Sequence, residues 1–355
     1  MFPSAVVLFL LILGICLVKS ELNDTCITAN DRVGRCVAPP DCKFALKILR
    51  SQNVTYEEYY YLDHSKCGQT DDSPPKPLVC CPVVQNVAGC GVAKLENRIF
   101  GGEQTEAGMY PWAGVIQYRV SRKRFSVYCG VALVHHRWAL TAAHCILSIP
   151  RYWSIHRIRF NEWDTTKKAS CTIKRDVEIC RAEYEIEKAF PHPLYHVYDP
   201  NMRHDIGLLK TKTDVEINDF VKPVCLPISE IIRQLPIDQQ EFVVTGWGQT
   251  DQGTPGLQRH VTVIGQNKSV CDKAFDLQRI VLSKDQLCIG GSIGQDSCRG
   301  DSGGPLTREH ELVNYLIGVV SFGAYKCGTR NHPGVYTNVG NYLDWIEETL
   351  ISNSP

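Results

Sequence analysis

Ser302 lies in the run Gly300-Asp301-Ser302-Gly303-Gly304-Pro305, and His144 lies in Thr141-Ala142-Ala143-His144-Cys145. A serine hydroxyl is almost fully protonated at neutral pH, so it attacks a carbonyl only when a base takes its proton as the bond forms. His144 is the candidate base. A histidine in that role needs a carboxylate to fix its tautomer and hold the imidazolium, and Asp205 offers one within His204-Asp205-Ile206-Gly207-Leu208-Leu209. Gly300 and Gly303 let the backbone turn tightly, so that the amides of Gly300 and Ser302 can point at a developing oxyanion. The chemistry within reach of these residues is acyl transfer ending in hydrolysis.

Composition sets limits on that chemistry. The 355 residues leave room for more than one domain, and a formal net charge of zero gives no sign of a nucleic-acid partner. Residues 1–20 carry an apolar stretch from Ala5 to Val18 and end in the small Ser20, which reads as a cleaved secretory signal. No Lys or Arg precedes that stretch, so an uncleaved membrane anchor stands as the other reading. The mature chain has no further apolar run approaching spanning length. Of the 17 cysteines, Cys16 falls in the leader, and the remaining even number in a secreted protein implies a full set of disulfides. Zinc is the competing use, but Cys26, Cys36, Cys42, Cys67, Cys80 and Cys81 contain no paired Cys-x-x-Cys knuckle. Asn23, Asn53 and Asn267 open glycosylation sequons suited to the same compartment.

The elements that must position the three polar residues are short. From Ile99 onward, β-rich runs alternate with turn residues, which predicts an all-β domain. Val131 to Val134, Trp138 to Thr141, Phe242 to Thr245 and Leu316 to Ser321 read as buried strands. Helical spacing is confined to the end, where Leu343, Ile346 and Leu350 recur between Tyr342 and Ile351.

These separated motifs resemble the trypsin-like serine proteases of the chymotrypsin fold over Ile99 to about Ile351. The resemblance implies two packed β-barrels with the active site in the cleft, His144 and Asp205 coming from the first barrel and Ser302 from the second. His-Asp-Ile-Gly departs from the Asn-Asp-Ile-Ala more common in the family. Asp296, six residues before Ser302, falls at the family's pocket base, with Ser321, Gly323 and Gly334 in the substrate-binding set; together they imply preference for Arg or Lys before the cut. Phe322 replaces the usual Trp, and Arg299 the common Gln. Leu95-Glu-Asn-Arg98 followed by Ile99-Phe-Gly-Gly102 resembles the activation junction, so cleavage after Arg98 would free the amino group of Ile99 to pair with Asp301. The implied bridges are Cys129 to Cys145, Cys171 to Cys180, Cys271 to Cys288 and Cys298 to Cys327, which leaves Cys90 and Cys225 for each other. No cofactor is required. Glu162 and Asp164 are hard donors where many relatives bind calcium, yet Lys167 and Lys168 oppose a cation there; a calcium site and an ordinary surface loop both stay open.

The six-cysteine cluster closed by Cys80 and Cys81 resembles the CLIP domain of arthropod proteases. A domain this small buries too little apolar area to offset chain entropy, and three bridges are the expected compensation. Six cysteines allow fifteen connectivities; the family pattern implies Cys26 to Cys80, Cys36 to Cys67 and Cys42 to Cys81. The four tyrosines between Tyr56 and Tyr61 form either a docking surface or packing against the bridges. The organisation expected is a signal peptide over 1–20, the CLIP domain over 26–81, a linker and activation segment over 82–98 and the protease domain over 99–355. The resemblance implies a secreted zymogen in a cascade of innate immunity, melanisation or development. Its partners would be a protein substrate that is another zymogen, an upstream activating protease and a serpin-type inhibitor. Two other readings are a non-catalytic homologue acting as a cofactor, which usually lacks a triad residue, and a digestive protease, for which the amino-terminal module is unnecessary. Arg119, Arg122, Lys123 and Arg124 are expected to meet Lys167, Lys168, Lys174 and Arg175 in a basic exosite or to form two solvated loops.

Overall fold

The computed structural model describes residues 22–29, 33–51, 53–93, 105, 108–167, 171–174, 177–248, 256–292, 300–323 and 329–353. The leader, Arg98, Ile99, Asp296, Cys298, Arg299, Cys327, Lys168 and Arg175 lie outside the described residues. The chain divides into two compact units, Met1–Val84 with Ile351–Pro355, and Gln85–Leu350.

In the smaller unit, β1 (Thr25–Ile27), β2 (Val33–Val37), β3 (Lys66–Gln69) and β4 (Pro77–Pro82) form one antiparallel sheet in the order β1-β2-β4-β3. Helix α1 (Lys43–Leu49) covers it, and its Ala45 shares a core with Cys42 and Val79. Helix α2 (Tyr56–His64) starts where Thr55 and Glu58 form a reciprocal capping box, which satisfies amides that the first turn cannot. Cys26–Cys80, Cys36–Cys67 and Cys42–Cys81 are bonded, so these thiols are spent as disulfides rather than metal ligands. The tyrosines divide between the two readings: Tyr61 packs edge-on against Phe44 at 4.9 Å, while Tyr56, Tyr59 and Tyr60 face solvent.

The larger unit holds two closed six-stranded antiparallel barrels, as the strand-rich pattern predicts. The first is built from β5 (Ala113–Arg119), β6 (Phe125–His135), β7 (Trp138–Thr141), β8 (Ser154–Phe160), β11 (Ala182–Pro191) and β12 (Gly207–Thr211). A small hairpin of β9 (Cys171–Lys174) and β10 (Val177–Cys180) interrupts it, closed by Cys171–Cys180. The helical turn α3 (His144–Leu147) follows β7, and α4 (Glu230–Gln234) lies between the barrels in sequence. The second barrel comprises β13 (Glu241–Gly246), β14 (Arg259–Gln266), β15 (Gln286–Ile289), β16 (Pro305–His310), β17 (Val313–Phe322) and β18 (Gly334–Asn338). Phe242, Val244, Ile289, Leu306, Val320 and Tyr336 fill its core. Helix α5 (Lys268–Ala274) begins at Asn267, whose side chain accepts from the Ser269 amide, and is pinned by Cys271–Cys288; α6 (Leu343–Ser352) closes the chain.

Of the expected linker 82–98, residues 94–98 lie outside the described residues, and residues 85–93 fall in the larger unit. Asn86 makes paired hydrogen bonds with the amide and carbonyl of Leu226, Gly91 exchanges backbone bonds with Pro223 and Asn314, and Cys90 is bonded to Cys225. Of the residues expected to form a basic exosite, Lys168 and Arg175 lie outside the described residues; Arg119 pairs with Ser154 of β8, and Phe125 at the start of β6 stacks on His156 at 4.8 Å.

Replacing Asn86 by Ala removes both bonds to Leu226. Denaturant midpoints of the full chain should then show a loss of about 1–3 kcal/mol, whereas a true linker residue would leave them unchanged.

Candidate active site

Strand register brings base and carboxylate together. In the antiparallel pairing of β7 with β12, Gly207 faces Thr141, so the residues just beyond each strand, Asp205 and Ala143–His144, emerge side by side. Tyr118 Oη donates to the Cys145 carbonyl at 2.9 Å and Cys145 is bonded to Cys129, which together fix α3 against β5 and β6. His144 Nδ1 then stands 2.8 Å from Asp205 Oδ2, and the His144 amide donates to Asp205 Oδ1 at 2.9 Å. Asp205 is fully buried. Burial disfavours the His144 imidazolium, but the charge and hydrogen bond of Asp205 outweigh it and raise the histidine above its ordinary pKa.

The second barrel supplies the rest. The Ser302 turn is locked on both sides: the Gly303 amide donates to the Val320 carbonyl, and the Gly130 amide of β6 donates to the Ser302 carbonyl, each at 2.8 Å. Gly303 has φ +76°, and a β-carbon there would sit 2.2 Å from Thr141 Oγ1, so no other residue fits this turn. Cys145 Sγ lies 3.6 Å from His144 Nε2 and 3.7 Å from the Ser302 carbonyl, which places the base and the nucleophile-bearing turn around one sulfur. Gly300, at φ +102°, precedes this turn, and the Asp301 carboxylate accepts from the Gly248 amide at 2.8 Å. Ser321 Oγ donates to Asp205 Oδ2 at 2.6 Å, so this residue of the expected substrate-binding set spends its hydroxyl on the carboxylate. Gly323 and Gly334 face each other, with Gly334 Cα 3.6 Å from where a Gly323 β-carbon would stand. Phe322 meets Phe275 edge-on at 5.5 Å.

Sequence reasoning missed Thr337, whose hydroxyl donates to the Asp205 carbonyl at 2.7 Å from β18. No local motif marks it. The departures around Asp205 acquire partners here. His204 adopts φ +58°, places Nδ1 3.0 Å from Tyr342 Oη and stacks on His192, whose pKa burial and His204 push down to about 4. The space an alanine methyl would take at Gly207 is filled by Ile146 Cδ1, 2.6 Å from that position. Asn23, Asn53 and Asn267 are exposed.

The residues named for calcium do not fit a hard dication. Glu162 is buried between Arg159 and Arg181, and Asp164 accepts from the Thr166 amide and hydroxyl and pairs with Lys167. Both carboxylates already have partners, three of them cationic.

A histidine can accept a serine's proton only while its imidazole is neutral. With the pKa of His144 raised, the acid limb of kcat/KM should lie above the ordinary histidine value of ~6.5. Ser321→Ala should lower kcat/KM about tenfold, near the ~1.5 kcal/mol of a hydrogen bond to a charge, and move that limb higher still. The undivided carboxylate then holds the imidazolium more strongly. A pH profile on an arginyl amide checks both.

Known proteins point the same way. The Trypsin family model matches residues 99–346, and the model of the regulatory CLIP domain of proteinases matches residues 26–81. CLIP domain-containing serine protease B15 of Anopheles gambiae is 44% identical, with 94% of this chain and 93% of that protein covered. Melanization protease 1 of Drosophila melanogaster is 30% identical over 93% of this chain and 94% of its own. The crystal structure of the Drosophila Grass clip serine protease of the Toll pathway superposes with a TM-score of 0.65 at 29% identity, covering 94% of this chain and 99% of that one. With a catalytic fold and an amino-terminal module both matched, the chain belongs to the trypsin family of serine proteases, in its CLIP-domain-bearing insect branch.

Proposed function

We propose that this chain is a secreted zymogen which, once cut after Arg98, hydrolyses peptide bonds of another protein after arginine or lysine. The observation that carries the reading is the buried Asp205 carboxylate holding His144 at 2.8 Å beside the Ser302 turn. A non-catalytic cofactor has no use for a buried charge that orients an imidazole. Preference for a basic residue is supported by Asp296 in sequence and by the small facing residues Gly323 and Gly334. Secretion is supported by the apolar leader and the disulfides; among the described residues no helix is long and apolar enough to cross a membrane. The names of the two Drosophila relatives, a melanization protease and a clip serine protease of the Toll pathway, support a place in an insect protease cascade; to this we add another zymogen as substrate, an upstream protease as activator and a serpin-type inhibitor.

Activation follows from the same residues. The freed amino group of Ile99 would pair with Asp301 and order the Gly300 and Ser302 amides as an oxyanion hole. The Cys90–Cys225 bridge spans the Arg98 cut and would keep the light segment attached.

Cleaved protein should hydrolyse a small arginyl amide and run as one species without reductant and two with it, the heavier beginning at Ile99. Arg98→Gln should remain one inactive chain in both conditions. Ser302→Ala should lose at least about ten-thousand-fold in kcat, and Asp296→Ser about a hundredfold or more in kcat/KM for arginyl substrates, from the ~3 kcal/mol of breaking a buried ion pair. Cleaved protein without amidase activity would replace this reading with the non-catalytic one.

A further inference from the structure

Glu162 follows β8 at 4% exposure, a buried carboxylate that demands counter-charge. Burial pushes its pKa up, against Arg181 and Arg159, which pull it down. Arg159 Nη1 lies 3.5 Å and Arg181 Nη1 3.4 Å from Glu162 Oε2. The Nε atoms of the same two arginines lie 3.0 Å from Glu183 Oε1, and Arg157 pairs with the other Glu183 oxygen. Arg181 Nη1 also donates to the Lys167 carbonyl at 3.3 Å, taking up a further oxygen a cation could have used. Three guanidinium groups thus face two carboxylates, and a divalent ion entering here would meet net positive charge.

The clamped residue carries load toward the nucleophile. The Glu162 carbonyl accepts from Trp247 Nε1 at 3.1 Å, and the next residue, Gly248, gives its amide to Asp301 Oδ1 at 2.8 Å, one residue from Ser302. Trp163 Nε1 donates to the Thr105 carbonyl at 2.9 Å, and the Trp163 carbonyl accepts from the Gln258 amide at 2.9 Å. The Glu162–Trp163 pair therefore joins the segment after β8 to the residue following β13, to the residue preceding β14 and to Thr105.

We propose that Arg159 and Arg181 are a built-in counter-ion that fills the place of a bound cation, and that Arg181 is a positioning residue for the Trp247–Gly248 support of Asp301. The positioning half rests on the hydrolase reading; the binding half does not, and is tested without activity. Full-length wild-type protein should melt at the same temperature in millimolar calcium and in chelator, and should show no saturable terbium luminescence sensitised by Trp163. Arg159→Gln with Arg181→Glu removes both cations and adds a carboxylate. That variant should gain calcium-displaceable terbium luminescence, and a melting temperature that falls in chelator and recovers with calcium. After cleavage its kcat should fall about tenfold in chelator and return with calcium, while KM changes little. If the double variant does not fold, Arg181→Gln should melt lower than wild type with no recovery in calcium, and Arg181→Lys should regain part of the loss. Wild-type protein stabilised by calcium and destabilised by chelator would overturn the proposal. So would a folded double variant that ignores calcium, or an Arg181→Gln protein as stable as wild type. Loss of amidase activity in every protein, wild type included, would strike the hydrolase reading and leave the luminescence and melting results to decide the clamp.

Discussion

A carboxylate with no exposure to water is costly unless every oxygen finds a donor, and Asp205 is such a group. Its donors come from both barrels. The His144 amide and ring serve it from the turn after β7, and Ser321 serves it from β17, while Thr337 of β18 holds its own carbonyl. Docking the barrels any other way would strand a buried charge. The demand of one side chain for hydrogen bonds thus ties the catalytic geometry to the assembly of the larger unit.

Close approach at this seam depends on residues without side chains. A β-carbon on Gly130 would lie 2.8 Å from Gly304 Cα, and one on Gly303 would collide with Thr141 Oγ1, which itself donates to the Gly130 carbonyl at 2.8 Å. The glycines around Ser302 therefore do two jobs. They permit the tight turn that carries Ser302, and they let β6 of one barrel reach that turn in the other.

Much of this was legible in the chain itself. His144 and Ser302 stand in short, dense motifs, because a nucleophile turn and a base-bearing turn constrain their immediate neighbours. The barrels were visible as alternating short runs and turns, for the same local reason. What stayed hidden depends on contacts between distant segments. Ser321 and Asp205 are 116 positions apart, Thr337 and Asp205 are 132 apart, and nothing in the neighbourhood of either hydroxyl announces its acceptor. The anchoring of Asn86 stays hidden for a like reason, since it is an ordinary loop residue until Leu226, 140 positions later, receives it. Glu162 and Asp164 have the donor chemistry of a cation site, and only the fold shows that Arg159 and Arg181 have arrived first.

The departures beside Asp205 follow the same logic of paired compensation. Gly207 lacks a methyl where Ile146 extends into that space. His204 occupies a left-handed conformation that favours Asn or Gly, and its ring finds Tyr342 Oη from the end of the second barrel together with a stacked His192. Each change is made next to the carboxylate and absorbed by a contact pointing away from it. The Ile206 amide still donates to the His204 carbonyl at 2.8 Å, and the His192 amide to the Ile206 carbonyl at 2.9 Å, so the backbone carrying Asp205 remains held. The contacts of His204 and Gly207 thus leave the donors of Asp205 in place, and the 2.8 Å contact with His144 stands beside them.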